Sequence, residues 1–246
     1  MQLPHSTNKQ KQIIQLILQF RYLNSKQIQK LLNHKDPKTI NTWLKDLTNN
    51  KYLGRDYTKT FGLNHIPAIY YLTVNGIRYL KKEGLINSEY AKRLYGDKDK
   101  SDTFKNHHIF LANIFLQLNL SIYTYVSQSQ LWEYEELKNL KIDAYIKKST
   151  KGLTKRYFLN LFDKYSSNYL MEYVLKQYIK LHHSNKWKEV INSKYFPEVL
   201  FILPNTQKLS ITRSLIKKLH PSFKISLTTE KQLETKGFTS DIWDGC

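Results

Sequence analysis

The 246-residue chain carries 39 Lys and Arg against 20 Asp and Glu, a formal charge of +19, and 41% of it is hydrophobic. That hydrophobic content excludes general disorder, and the length is comfortable for two domains. The basic balance points to a polyanion, with nucleic acid ahead of an anionic membrane surface.

The single cysteine, Cys246, excludes an internal disulfide and a cysteine zinc site, and fits a reducing compartment. The start, Met1 to His5, lacks the charged-then-apolar build of a signal peptide. The most apolar window, Ile109 to Tyr123, is interrupted by Asn113, Gln117 and Asn119 and is too polar to span a bilayer. The expectation is a cytoplasmic protein without a membrane partner.

In chain order, Ile13, Leu16, Ile17 and Phe20 recur at helical spacing, which predicts a helix over Ser6 to Phe20 with Ser6 or Thr7 as its cap. Asn24 and Gln27 have capping-box spacing and open a second helix that buries Ile28, Leu31 and Leu32. Asp36-Pro37 places an N-cap and a first-turn proline before a third helix. Its inward stripe is Ile40, Trp43, Leu44 and Leu47. The opposite face carries Lys38, Asn41, Thr42, Lys45 and Asn49, side chains that can reach phosphates and base edges. Lys51–Arg55 and Ala68–Leu72 read as hairpin strands around a polar turn with Gly62 and Asn64, and Arg55, Lys59 and His65 would line this wing. Thr73 then caps a return helix. The run Tyr70-x-Leu72-Thr73-x-x-Gly76 resembles the wing-exit signature of winged-helix DNA-binding domains. Residues 1–85 hold 14 Lys and Arg against 4 Asp and Glu, and the other 161 hold 25 against 16, so the basic excess is denser here.

Asn87 to Gly96 reads as a short connecting helix, and the charge-rich stretch 97–101 as a linker. The second domain, 102–229, opens with a helix to about Leu118. Strands are expected over Ser121–Ser127, Ile142–Lys148 and Arg156–Asp163, then one long helix, Asn168 to Ile191. Glu198–Leu203, apolar from Val199 on, reads as a strand covered on both faces. A helix over Thr206–Leu219 and a strand over Phe223–Leu227 follow, and 230–246 is expected to be a tail. The fold class is thus α+β or α/β: an N-terminal winged helix-turn-helix over 1–96, then an α/β domain on a mixed sheet.

The order helix, three strands, helix, strand resembles the core of restriction-endonuclease-like PD-(D/E)XK nucleases. That resemblance implies one or two divalent cations held by acids near adjacent strand ends. It assigns the first acid to Asp143, an upstream acid to Glu133, Glu135 or Glu136, and the acid and lysine of the third strand to positions held by Asn160 and Phe162. Asp163 would then substitute for the missing acid, and Lys176 or Lys180 for the missing lysine. His107-His108 and His182-His183 read as packing residues, since neighbours on a helix face different ways. None of the 18 tyrosines is singled out as a nucleophile, and no Gly-rich phosphate loop is present.

Taken whole, the chain resembles the replication-relaxation family of plasmid and mobile-element proteins. The resemblance rests on Tyr70 to Gly76, His107 or His108, Trp132-Glu133 before Ile142-Asp143-Ala144, and Phe196 to Phe201. It implies a role in replication initiation, relaxation or mobilisation of a plasmid or integrated element. The partners expected are double-stranded DNA, a second copy of the chain as a homodimer, and replication or mobilisation proteins. The expected DNA contacts are Lys38, Asn41, Thr42, Lys45, Arg55 and Lys59. The loss at Asn160 and Phe162 makes the second domain a degenerate nuclease fold kept for binding rather than cleavage, with no cofactor; were it active, Asp143, Glu135 and Asp163 would be the catalytic set, with Asp143 and Glu135 as ligands of Mg²⁺ or Mn²⁺. The alternatives are a metal-dependent DNA-nicking enzyme and a winged-helix transcriptional regulator.

Overall fold

A computed structural model describes residues 7–57 and 67–246. The turn with Gly62 and Asn64, together with Lys59 and His65, lies outside the described residues. The chain divides into two compact units, Met1–Leu116 and Gln117–Cys246.

The first unit holds α1 (Asn8–Phe20), β1 (Leu23–Asn24), α2 (Ser25–Leu31), α3 (Pro37–Asn49), β2 (Leu53–Asp56), β3 (Ile69–Leu72), α4 (Val74–Lys82), α5 (Ser88–Leu94), a 3₁₀ turn (Asp97–Asp99) and α6 (Asp102–Leu116). The start signals act as their chemistry dictates. Thr7 with Gln10 and Asn24 with Gln27 form reciprocal capping boxes, and Asp36 accepts the Lys38 and Thr39 backbone N–H groups ahead of Pro37. The sheet order is β1-β3-β2, all antiparallel, with Leu53 opposite Leu72. Strand β1 was not foreseen, being only two residues long.

The Tyr70 to Gly76 run has a physical explanation. The Thr73 hydroxyl donates to the Tyr52 carbonyl at 3.0 Å and accepts the Gly76 N–H at 3.3 Å, which ties the start of α4 to the α3–β2 turn. A Cβ at Gly76 would collide with the Tyr52 carbonyl oxygen, so only glycine fits.

The stretch 97–101 is not a spacer. Asp97 is 1% exposed and makes a buried ion pair with Arg21, while its carbonyl accepts the Tyr22 hydroxyl at 2.6 Å. Burial pushes the Asp97 carboxyl up, and Arg21 opposes that shift. Arg21 itself closes α1 with a φ of 64°, a conformation that costs a non-glycine residue energy and needs its surroundings to hold it. Helix α6 also belongs to this unit. Gln27, 3% exposed, donates through Nε2 to the Ile109 carbonyl and the Asn113 amide oxygen, each at 2.8 Å. The polar break at Asn113 is thus an internal partner for the α2 capping box. His108 is buried against Tyr22 and Phe104.

The second unit holds β4 (Tyr123–Ser127), α7 (Gln128–Leu131), β5 (Ala144–Thr150), β6 (Leu153–Leu161), α8 (Asn168–Ser184), α9 (Trp187–Ile191), β7 (Glu198–Leu203), α10 (Thr206–Leu219), β8 (Ile225–Thr229), α11 (Glu230–Lys236) and β9 (Asp244–Gly245). The six strands form one mixed sheet in sequence order, parallel only at β6–β7 and β7–β8. Val199, Phe201 and Leu203 of β7 share a core with Tyr178 and Leu181 of α8 and Ile216 of α10. The long helix expected to Ile191 ends at Ser184, because Asn185 turns left-handed (φ 56°) and caps it. Residues 230–246 are part of the fold. Thr229 and Gln232 form a capping box for α11, Phe238 is buried, and β9 pairs with β8.

Arg21→Ala or Asp97→Ala leaves one buried charge without its partner and should cost about 3–5 kcal/mol in chemical denaturation. Exposed Lys98 should tolerate alanine within about 0.5 kcal/mol. For His108, burial first, and then His107 and Arg21, hold the ring well below its ordinary 6.5. The unfolded chain therefore binds the proton that the folded chain refuses. Stability contributed by the neutral ring is complete above about pH 6.5 and falls below it, by up to about 1.4 kcal/mol per pH unit. Unfolding free energy measured from pH 8 to 5 should show this fall, and His108→Phe should flatten it.

Candidate nucleic-acid interface and the acidic strand ends

Helix α3 is amphipathic. Ile40, Leu44 and Leu47 are buried, while Trp43 is half-buried with its ring 5.1 Å from that of His34. Lys38, Asn41, Thr42 and Lys45 are exposed on the outer side, and Thr42 donates its hydroxyl back to the Lys38 carbonyl at 3.1 Å. Asp36 at the N-cap is held below the usual carboxylate range by the Thr39 hydroxyl and by the Lys38 and Thr39 backbone N–H groups, so the helix start keeps its anionic cap at neutral pH. Between α2 and α3 lies a cleft of about 640 Å³ whose lining includes Lys26, Lys30, Asn33 and Asn41. Lys26 and Lys30 were missed in the sequence reading. Their i, i+4 spacing beside buried Gln27 and Ile28 marks them as an outward pair on α2. Arg55 is exposed on β2, its guanidinium 5.2 Å from the Tyr57 ring centre. Other basic residues are structural: buried Lys105 pairs with Asp56.

The acids of the second unit are held by separate partners. Asp143 is 2% exposed, and its Oδ2 accepts the Leu161 backbone N–H at 2.7 Å. Glu135 is 75% exposed and pairs with Lys138 at 2.8 Å. Asp163 accepts the Tyr165 N–H at 2.8 Å and the Ser166 hydroxyl at 3.2 Å, shaping the turn before α8. Among the described residues no group of three or more His, Cys, Asp or Glu side chains is placed to hold a metal ion.

Asn160 is fully buried, with both ends of its amide engaged: it donates to the Lys141 carbonyl and accepts the Tyr178 hydroxyl. Phe162 is equally buried, its ring 5.2 Å from Phe201 in an edge-on contact. Burial, and then the charge of Asp143, push the Tyr178 and Tyr125 hydroxyls up, so both keep their protons. Lys176 is exposed and paired with Glu172 at 2.7 Å, and Lys180 is exposed, so both lie off the face of α8 that buries Tyr178. The described residues therefore do not fit a divalent-cation site of the kind the nuclease resemblance implies. His182 packs against Trp187, Phe196 and Phe223.

The described fold is thus a helical unit with a small antiparallel sheet, followed by an α/β unit built on a mixed sheet. The chain belongs to the replication-relaxation family, whose sequence pattern matches residues 14–193. No curated protein sequence matches it. Among solved structures it is similar to restriction endonuclease FokI bound to DNA and to FokI alone, each at 15% identity and a TM-score of 0.29. Those alignments cover 94% of this chain but 46% and 45% of the FokI chains, so the protein spans less than half of their length. No helix among the described residues is long and apolar enough to cross a membrane.

Restoring the acid of the third strand should damage the fold. In Asn160→Asp a carboxylate would face the Lys141 carbonyl with no hydrogen to donate. The expected cost at pH 7 is at least about 2 kcal/mol. Burial raises the pKa of such a group, so the folded state holds its proton more tightly than the unfolded chain, and the loss should shrink as pH falls toward 4. Urea denaturation at the two pH values checks this.

Proposed function

We propose that the protein binds double-stranded DNA through α3 and acts in the replication, relaxation or mobilisation of a plasmid or mobile element. In this reading the first unit is a winged helix-turn-helix, α3 is its reading helix, and the second unit is a nuclease-like fold used for binding rather than cleavage. The observation that carries it is the exposed row Lys38, Asn41, Thr42 and Lys45 on a firmly capped helix, beside a cleft with two further lysines. Lysines neutralise phosphates and set affinity, whereas an asparagine amide can pair bidentately with adenine and set sequence preference. Membership of the replication-relaxation family supports the biological setting. Homodimerisation and partnership with replication or mobilisation proteins extend the same reading.

The test uses duplexes selected from a random pool, with binding followed by fluorescence anisotropy across a salt series. Lys38→Ala with Lys45→Ala should weaken every duplex and reduce the salt slope by about 2. Asn41→Ala should cost about 1–3 kcal/mol on the selected site and little elsewhere. Binding that survives all three changes would remove α3 from the interface. A parallel incubation of supercoiled plasmid with Mg²⁺ or Mn²⁺ should leave it closed. Metal-dependent nicking that disappears in Asp143→Asn would replace the binding role of the second unit with a catalytic one.

A further inference from the structure

On the face of the sheet that carries Tyr145 and Phe158, strand register lines up three polar side chains. Thr124 of β4 lies opposite Lys147 of β5, and Lys147 lies opposite Arg156 of β6. Directly opposed side chains share one face, so two cations sit side by side with nothing in the sheet to separate them. Like charges in that relation weaken a sheet. Among the described residues neither cation pairs with a carboxylate. Arg156 reaches the Asn192 carbonyl at 3.4 Å and the Tyr145 hydroxyl, yet its Nε is buried without an acceptor. A buried donor without a partner is costly. Lys147 and Arg156 both line one cleft of about 250 Å³, whose wall also includes Tyr134, 40% exposed.

One kind of ligand relieves the repulsion. An anion in the cleft neutralises the two opposed cations. Its oxygens must meet an ammonium, a guanidinium and the Thr124 hydroxyl together, which suits the several oxygens of a phosphate better than the two of a carboxylate. The volume falls below the roughly 300–1,000 Å³ of ordinary small-molecule pockets, so it suits one phosphate and part of its sugar. We propose that Thr124, Lys147 and Arg156 form a phosphate-binding site that takes a phosphoryl group of a nucleotide, with the Tyr134 ring beside the attached sugar or base. The site is distinct from α3, and the inference does not rest on the DNA reading of that helix.

The first experiment follows thermal unfolding of the full chain in inorganic phosphate and in chloride at matched ionic strength. In chloride, Lys147→Gln should unfold at a higher temperature than wild type, because the repulsion is gone. Phosphate should raise the wild-type midpoint and leave that of Lys147→Gln almost unmoved. Arg156→Lys keeps the charge but loses the planar fork, and should bind phosphate about tenfold more weakly. An equal phosphate shift in wild type and Lys147→Gln would reflect general exclusion from the protein surface and would overturn the site.

A second titration uses tetrathymidylate with and without a 5′-phosphate. A terminal-phosphate site predicts tighter binding of the phosphorylated form, lost in Lys147→Gln. A phosphodiester site predicts that both forms bind and that both weaken in that variant. Binding of both forms unaffected by Lys147→Gln overturns the proposal. Lys38→Ala with Lys45→Ala should leave the inorganic-phosphate shift intact, so failure at this site and failure at α3 are separately visible.

Discussion

The carboxylate of Asp143 accepts the backbone N–H of Leu161 just ahead of the first residue of β5 and beside the last residue of β6. That bond closes the end of the β5–β6 pair. It holds a buried charge against a backbone donor at the end of the two strands, where acids would have to converge for metal chemistry. Asn160 next to it completes the enclosure by bridging the Lys141 carbonyl and the Tyr178 hydroxyl. A hydrogen-bonded core network of this kind is stable only if every member is satisfied, which leaves little freedom to recruit a metal or a water. The same sheet face ends differently at its other rim, where Lys147 and Arg156 lie opposed and an Arg156 donor is left over. Satisfaction at one end and frustration at the other locate where a ligand would lower the energy of the sheet.

The distinction between satisfied and unsatisfied charge also refines what +19 means. Arg21 and Lys105 are buried in ion pairs, so they belong to the architecture of the first unit and offer nothing to a polyanion. Lys26, Lys30, Lys38 and Lys45 are exposed on two consecutive helices. Net charge alone cannot separate these groups, although it correctly points toward an anionic partner.

How much was legible in the sequence follows the range of each interaction. Capping boxes, an Asp-Pro helix start and a three-residue gap from Thr73 to Gly76 are local chemistry, and the starts of α2 and α3 and both ends of α10 agree with it, although Leu31 and Leu32 are only partly buried and Leu32 caps α2 from outside. Strand Glu198–Leu203 was also clear, because the five consecutive apolar residues after Glu198 need cover on both faces. The errors came from contacts distant in sequence. Asp97 reads as a solvated charge until Arg21, 76 residues earlier, is placed beside it. The final segment reads as a tail because β9 exists only by pairing with β8. The candidate acids Asp143, Glu135 and Asp163 fit a motif by order, yet order says nothing of burial, and burial separates their roles.

The Arg21–Asp97 pair fixes where the first unit can be divided. A recombinant piece ending at Gly96 would keep the guanidinium inside and remove its carboxylate, the carbonyl that receives the Tyr22 hydroxyl, and the α6 groups that receive Gln27. The part that can be moved between proteins as a folded whole therefore runs to Leu116. A charge-rich stretch that looks like a hinge is in fact a clasp, and recombination within it would yield two incomplete halves.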